Sequence, residues 1–113
     1  MANTGTKKIL IATGEASGDL HGSNLVRAIK GMNPNISFMG IGGEKLAKAG
    51  VEILVSSSEI AVVGLTEIAS KIGAIIRAWL KIRSVIRKKH PDLLILIDNP
   101  GFNLSLARVA KAN

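Results

Sequence analysis

Two rhythms of apolar and polar positions run along the chain. Short, nearly continuous apolar runs occur at Ile9–Ala12, Ile36–Ile41, Val51–Val55 and Asp92–Ile97, the last with LLILI at its centre. They are rich in β-branched residues, and a continuous run of that length suits a strand covered on both faces, as in a parallel sheet. Between them the spacing is helical. Leu20, Leu25, Val26 and Ile29 predict a helix of about three turns, capped by Asp19 or Ser17 and ending at Gly31. Asn33-Pro34-Asn35 reads as a turn, and Glu44–Ala49 as a short helix closed by Gly50. After a serine loop, Ser56–Ser58, Ser58 is placed to cap a short turn through Glu59–Val63. A long helix is expected from about Leu65 to Lys89, with the stripe Ile68, Ile72, Ile75, Trp79, Ile82 and Ile86 facing inward and Pro91 preventing its continuation. A last helix is expected to start near Asn103, and residues 1–6 read as a frayed terminus.

The resulting order, β-α-β-α-β-α-β-α, predicts a parallel sheet with right-handed crossovers and flanking helices, a Rossmann-like half in one domain over residues 1–113. No internal repeat, linker or low-complexity tract interrupts it. The chain stops shortly after a helix, where a further strand is expected, so it reads as a fragment of something longer.

Composition narrows the classes. With 47% apolar and only 3% aromatic residues, the core is aliphatic and packed with Ala and Gly. The absence of cysteine excludes a disulfide scaffold or a thiolate metal site. The apolar segment after Lys7-Lys8 is broken by Gly14 and Glu15 before it reaches signal-peptide length, and no run approaches the ~18 apolar residues of a spanning helix. The chain is therefore expected to be soluble or to lie on a surface. His21 and His90 have no partner at metal-ligand spacing, so no metal is expected.

Three stretches carry candidate chemistry. Gly14, Glu15, Ser17, Gly18 and Asp19 follow the first strand, at the carboxyl end where open α/β sheets bind ligands. The stretch lacks the glycine spacing of a dinucleotide fingerprint and the Gly-Lys-Ser/Thr of a P-loop. A substrate loop and a capping loop with Asp19 at a helix start both fit. Gly40-Ile-Gly42-Gly43 follows the second strand and reads as a tight turn before a short helix, or as an anion site at that helix's start. Asp98 ends the most apolar strand beside Pro100-Gly101; it suits either a partly desolvated general base or a helix cap.

The charge of +7 is localised. Lys71, Arg77, Lys81, Arg83, Arg87, Lys88 and Lys89 account for all of it, and the other eight bases balance the eight acids. That helix also carries Ile76, Leu80 and Val85 outside its narrow stripe. A core helix with a solvated basic face is the plainer reading. Basic plus surplus apolar surface is also the combination that binds anionic membranes. With no Tyr, one Trp, two Phe and no recognisable motif, nucleic acid is the weaker candidate anion.

Four motifs in order, GEASGD, FMGIGGEKLAKAG, SEIAVVGLTEI and IDNPGFN, resemble the lipid-A-disaccharide synthase family, over nearly the whole chain from Lys8 and roughly the first third of a family member. The resemblance implies the N-terminal half of a GT-B glycosyltransferase, two Rossmann-like domains with the active site between them. It implies an inverting, metal-free and cofactor-free transfer from UDP-2,3-diacylglucosamine to 2,3-diacylglucosamine 1-phosphate (lipid X), releasing UDP, at the cytoplasmic face of the inner membrane of Gram-negative bacteria. By resemblance Asp98 is the base that takes the proton of the acceptor's 6-hydroxyl. Gly14, Glu15, Ser17, Gly18 and Asp19, with Pro100, Phe102 and Asn103, are the substrate-binding positions. Arg77, Lys81, Arg83, Arg87, Lys88 and Lys89 face the anionic membrane. Many family members carry a second acid where this chain has Gly101. The family's uridine–diphosphate pocket lies mainly in the C-terminal domain, so this piece alone is expected to be inactive. The alternative from another class is a non-catalytic Rossmann-like module for a nucleotide or phosphosugar.

Overall fold

The computed structural model describes residues 7–14, 16–57, 68–97 and 100–112. The four apolar runs form the strands β1 (Lys7–Thr13), β2 (Ile36–Gly42), β3 (Val51–Ser56) and β4 (Leu93–Ile97), all parallel, in the spatial order β3-β2-β1-β4. Helices α1 (Ala16–Met32), α2 (Glu44–Lys48), α3 (Ile68–Lys89) and α4 (Pro100–Ala112) alternate with them. The predicted α/β order and parallel sheet are therefore present. The frayed terminus, the Glu59–Val63 turn and the start of the long helix at Leu65 lie outside the described residues.

The two inner strands bury their last five residues each, which is why they read as continuous apolar runs. Alternate residues serve opposite faces. Ile9 and Ile11 pack with Val26, Phe38 and Leu46 under α1 and α2. Leu10 and Ala12 pack with Ile41, Ala78, Ile82 and Leu106 under α3 and α4. At the amino end of the sheet Asp92 pins β4 to β1: its amide donates to the Lys8 carbonyl, and its carboxylate accepts from the Lys8 amide at 2.8 Å.

Gly40 is where the sheet depends on a missing side chain. Its φ is +152°, and a Cβ there would overlap the Ile11 carbonyl oxygen in the neighbouring strand. Gly40→Ala should cost at least the ~1–3 kcal/mol of an overpacked core. A urea midpoint unchanged from wild type would contradict the close approach of β1 and β2. One residue later a bulge interrupts the β2–β3 pairing: Gly40 pairs with Ile53, and Ile41 with Val55. The carbonyl of the skipped residue, Leu54, accepts from the Lys81 ammonium at 2.7 Å.

Several helix boundaries and faces differ from the sequence expectation. Helix α1 begins at Ala16 and runs to Met32, one residue past Gly31. Helix α4 begins at Pro100 rather than near Asn103, so Pro100 and Gly101 form its first turn instead of a separate one. Proline's fixed φ and missing N–H suit that position. In α3 the inward face is wider than the expected stripe: Ala78, Ile82 and Ile86 are buried, and Ile75, Trp79 and Val85 pack beside them. Ile72, expected inside, is 52% exposed, as is Ile76, with Leu80 close behind at 49%. At its C-terminus His90 adopts φ +47°, a left-handed helix ending, and its amide bonds the Ile86 carbonyl.

Candidate active site

The chain builds β1, β2 and β3 outward in one direction, then places β4 on the other side of β1. Strand order therefore reverses between β1 and β4, and the crevice outside their carboxyl ends is where open α/β sheets take ligands. Thr13, the last residue of β1, is the register partner of Ile97, the last residue of β4. The two polar motifs thus leave the sheet side by side and at the same level. Glu15 and Asp98 themselves lie outside the described residues.

On the β1 side, Thr13 is buried and its hydroxyl donates to the Ile41 carbonyl at 3.2 Å, joining the ends of β1 and β2. Gly14 is buried behind it. Because α1 starts at Ala16, Ser17 and Asp19 are helical residues two positions apart, about 200° around the axis. They cannot face one ligand together. Ser17 is exposed; Gly18 and Asp19 are buried. The Asp19 carboxylate accepts three backbone N–H groups at the start of α2: Oδ1 from Gly43 at 2.8 Å and Leu46 at 3.1 Å, and Oδ2 from Lys45 at 3.0 Å. So Asp19 caps a helix, as the simpler reading held, but it is the next helix and not its own. The anion at the start of α2 is supplied by the protein. Gly22, one turn on, lets α1 lie close to the sheet: a Cβ there would stand 3.3 Å from both Ile11 and Leu46 side chains.

On the β4 side, Pro100, Gly101 and Phe102 form the first turn of α4. Asn103 is buried, and its Nδ2 donates to the Ile97 carbonyl at 3.3 Å. This bond ties the helix back to the strand end. A cavity of about 240 Å³ exists elsewhere, at the amino end of β4 between Ile86, Leu93, Leu94 and Ala110, on the wrong side of the sheet for either motif. Among the described residues no group of His, Cys, Asp or Glu could hold a metal ion.

The basic helix is less uniform than its sequence. Arg77, Arg87, Lys88 and Lys89 are exposed. Arg83 is half-buried with its guanidinium 5.6 Å from the centre of the Trp79 ring, and Lys81 is the residue bonded to Leu54. No described helix is long and apolar enough to cross a membrane.

A parallel sheet in β-α-β-α-β-α-β-α order, with the ends of β1 and β4 side by side at its switch point, defines the class: a Rossmann-like half of the kind from which GT-B glycosyltransferases are built. Residues 9–113 match the family model for lipid-A-disaccharide synthetase. The lipid-A-disaccharide synthase of Geobacter sulfurreducens is 54% identical over 111 residues, covering 98% of this chain and 29% of the relative. That of Geobacter metallireducens is 50% identical with the same coverage. That of Nitrosococcus oceani is 50% identical over 103 residues, 91% of this chain and 27% of the relative. The chain belongs to the lipid-A-disaccharide synthase family, and it spans under a third of the length of these relatives.

Proposed function

We propose that the chain is an acceptor-side part of a glycosyltransferase that joins UDP-2,3-diacylglucosamine to lipid X, giving lipid A disaccharide 1-phosphate and UDP. The observation that carries this reading is the register pairing of Thr13 with Ile97, which brings the GEASGD and IDNPGFN motifs to one crevice. In the reaction the acceptor's 6-hydroxyl oxygen attacks the anomeric carbon of the donor from the face opposite the diphosphate. The new O6–C1 bond forms as the bond from C1 to the phosphate oxygen breaks. The hydroxyl proton passes to Asp98, and UDP departs with the bonding pair. Gly14, Glu15 and Ser17 from the first motif, with Pro100 and Phe102 from the second, border the acceptor, and Asn103 ties the start of α4 to the end of β4. Stabilisation of the leaving diphosphate belongs to the remainder of a full-length relative.

Helix α3 fits a substrate with acyl chains. A helix of 22 residues is about 33 Å long, whereas a strand of 7 residues is about 23 Å. The helix runs back from the carboxyl end of β3 to the amino end of β4. Ile72, Ile76 and Leu80 form an exposed apolar ridge along it. We infer that this ridge, with the exposed bases further along, lies on the anionic inner face of the inner membrane.

The test is a chimera in which this chain replaces the matching residues of the Geobacter sulfurreducens enzyme. It should release UDP from the two lipid substrates together and not from the donor alone. The chain by itself should release none. A folded chimera that releases no UDP would overturn the reading.

A further inference from the structure

Asp19 is the only carboxylate in the buried set among the described residues. Its three partners are all backbone N–H groups of the β2–α2 turn. Helix α2 has no side-chain cap of its own at Gly43. The backbone there, φ −114° and ψ −157°, is extended and open to any residue, so conformation does not call for glycine. Space does: a Cβ on Gly43 would stand 2.9 Å from Asp19 Oδ2. Turn and carboxylate are fitted to one another across 24 residues of sequence.

We propose that Asp19 is a positioning residue. It is a built-in anion that clamps the β2–α2 turn to the first turn of α1, and so fixes Ser17 and the start of that helix at the cleft without touching substrate. The proposal deepens the acceptor-site reading above and rests on it for its consequence in turnover. It also means that the free N–H groups of this turn, which would otherwise attract a phosphate, are already satisfied. Anionic parts of a substrate are then left to the β1–β4 side of the crevice.

Asp19→Ala removes the anion and leaves room for a small carboxylate, so formate is the probe. In the isolated chain, the amide resonances of Gly43, Lys45 and Leu46 should move upfield in Asp19→Ala and return towards wild-type positions when formate is added. Formate should leave wild type unchanged. In the chimera, Asp19→Ala should lower kcat by about 10²-fold, the scale of an ångström's misplacement, with KM changed little, and formate should restore part of it. Should Asp19→Ala not fold, Asp19→Asn keeps the shape with a weaker, neutral acceptor, and the same three amides should move upfield. Wild-type amide positions in Asp19→Asn, or a failure of formate to move either the amides or the turnover of folded Asp19→Ala, would overturn the proposal. So would a rise in KM with the amides unmoved, which marks a substrate contact. The amide measurement does not need a working chimera, so it separates failure of this proposal from failure of the functional reading.

Discussion

Asp98→Asn in the chimera is expected to lower kcat by about 10²–10⁴-fold, the usual worth of a positioned general base, and to leave the fold in place. The amide keeps the shape of the carboxylate and loses its ability to take a proton. On either side of it, Ile97 is held in register by Thr13, and the first turn of α4 is held to Ile97 by Asn103. The motif IDNPGFN contains no second acid. No neighbouring carboxylate in the motif is therefore available to replace the base. Initial rates of UDP release give kcat, and thermal unfolding of the same samples controls for the fold. A folded mutant with near-normal kcat would remove Asp98 from the mechanism.

The strands were legible because a parallel sheet covered on both faces leaves little else for Ile9–Ala12 or LLILI to be. Their order then dictated the layers. The site was legible only in part, for a geometric reason. GEASGD reads as a loop whose polar side chains alternate, but the helix starts inside the motif. Alternation in a helix sends Ser17 outward and Asp19 inward. The partners of Asp19 lie more than twenty residues away, in a turn whose glycines looked like a ligand site because they do surround an anion. A cue was present in Gly43, which sits where no unusual backbone angle requires it. In α3, a 4-3-4-3 stripe describes the narrow seam between two helices, whereas a sheet takes a broader face. Ala78 and Val85 therefore join the core. Ile72 is 52% exposed and lies outside that packing.

Replacing Arg83, Arg87, Lys88 and Lys89 with Gln is expected to weaken binding to anionic vesicles by at most ~4 kcal/mol, at about 1 kcal/mol for each base near the surface. The sum is an upper bound because the four are not equivalent. Arg87, Lys88 and Lys89 are exposed, whereas Arg83 lies half-buried over Trp79 and gives up part of that contact if it turns to lipid. These bases sit towards the C-terminal end of α3, and the exposed Ile72 and Ile76 towards its N-terminal end. Both sets reach one bilayer only if the helix lies along the surface, which is how amphipathic helices bind. Salt should reproduce the mutant, since counter-ions screen the same attraction within about 10 Å at 0.1 M. The apolar ridge should leave a salt-resistant remainder. Stability should hardly change, because Ala78, Ile82 and Ile86 carry the packing of the helix and none of them is altered. Co-sedimentation of wild type and the quadruple variant with vesicles containing an anionic phospholipid, at low and high salt, measures each part. Equal binding by both proteins at low salt would make the basic end of α3 an ordinary solvated surface.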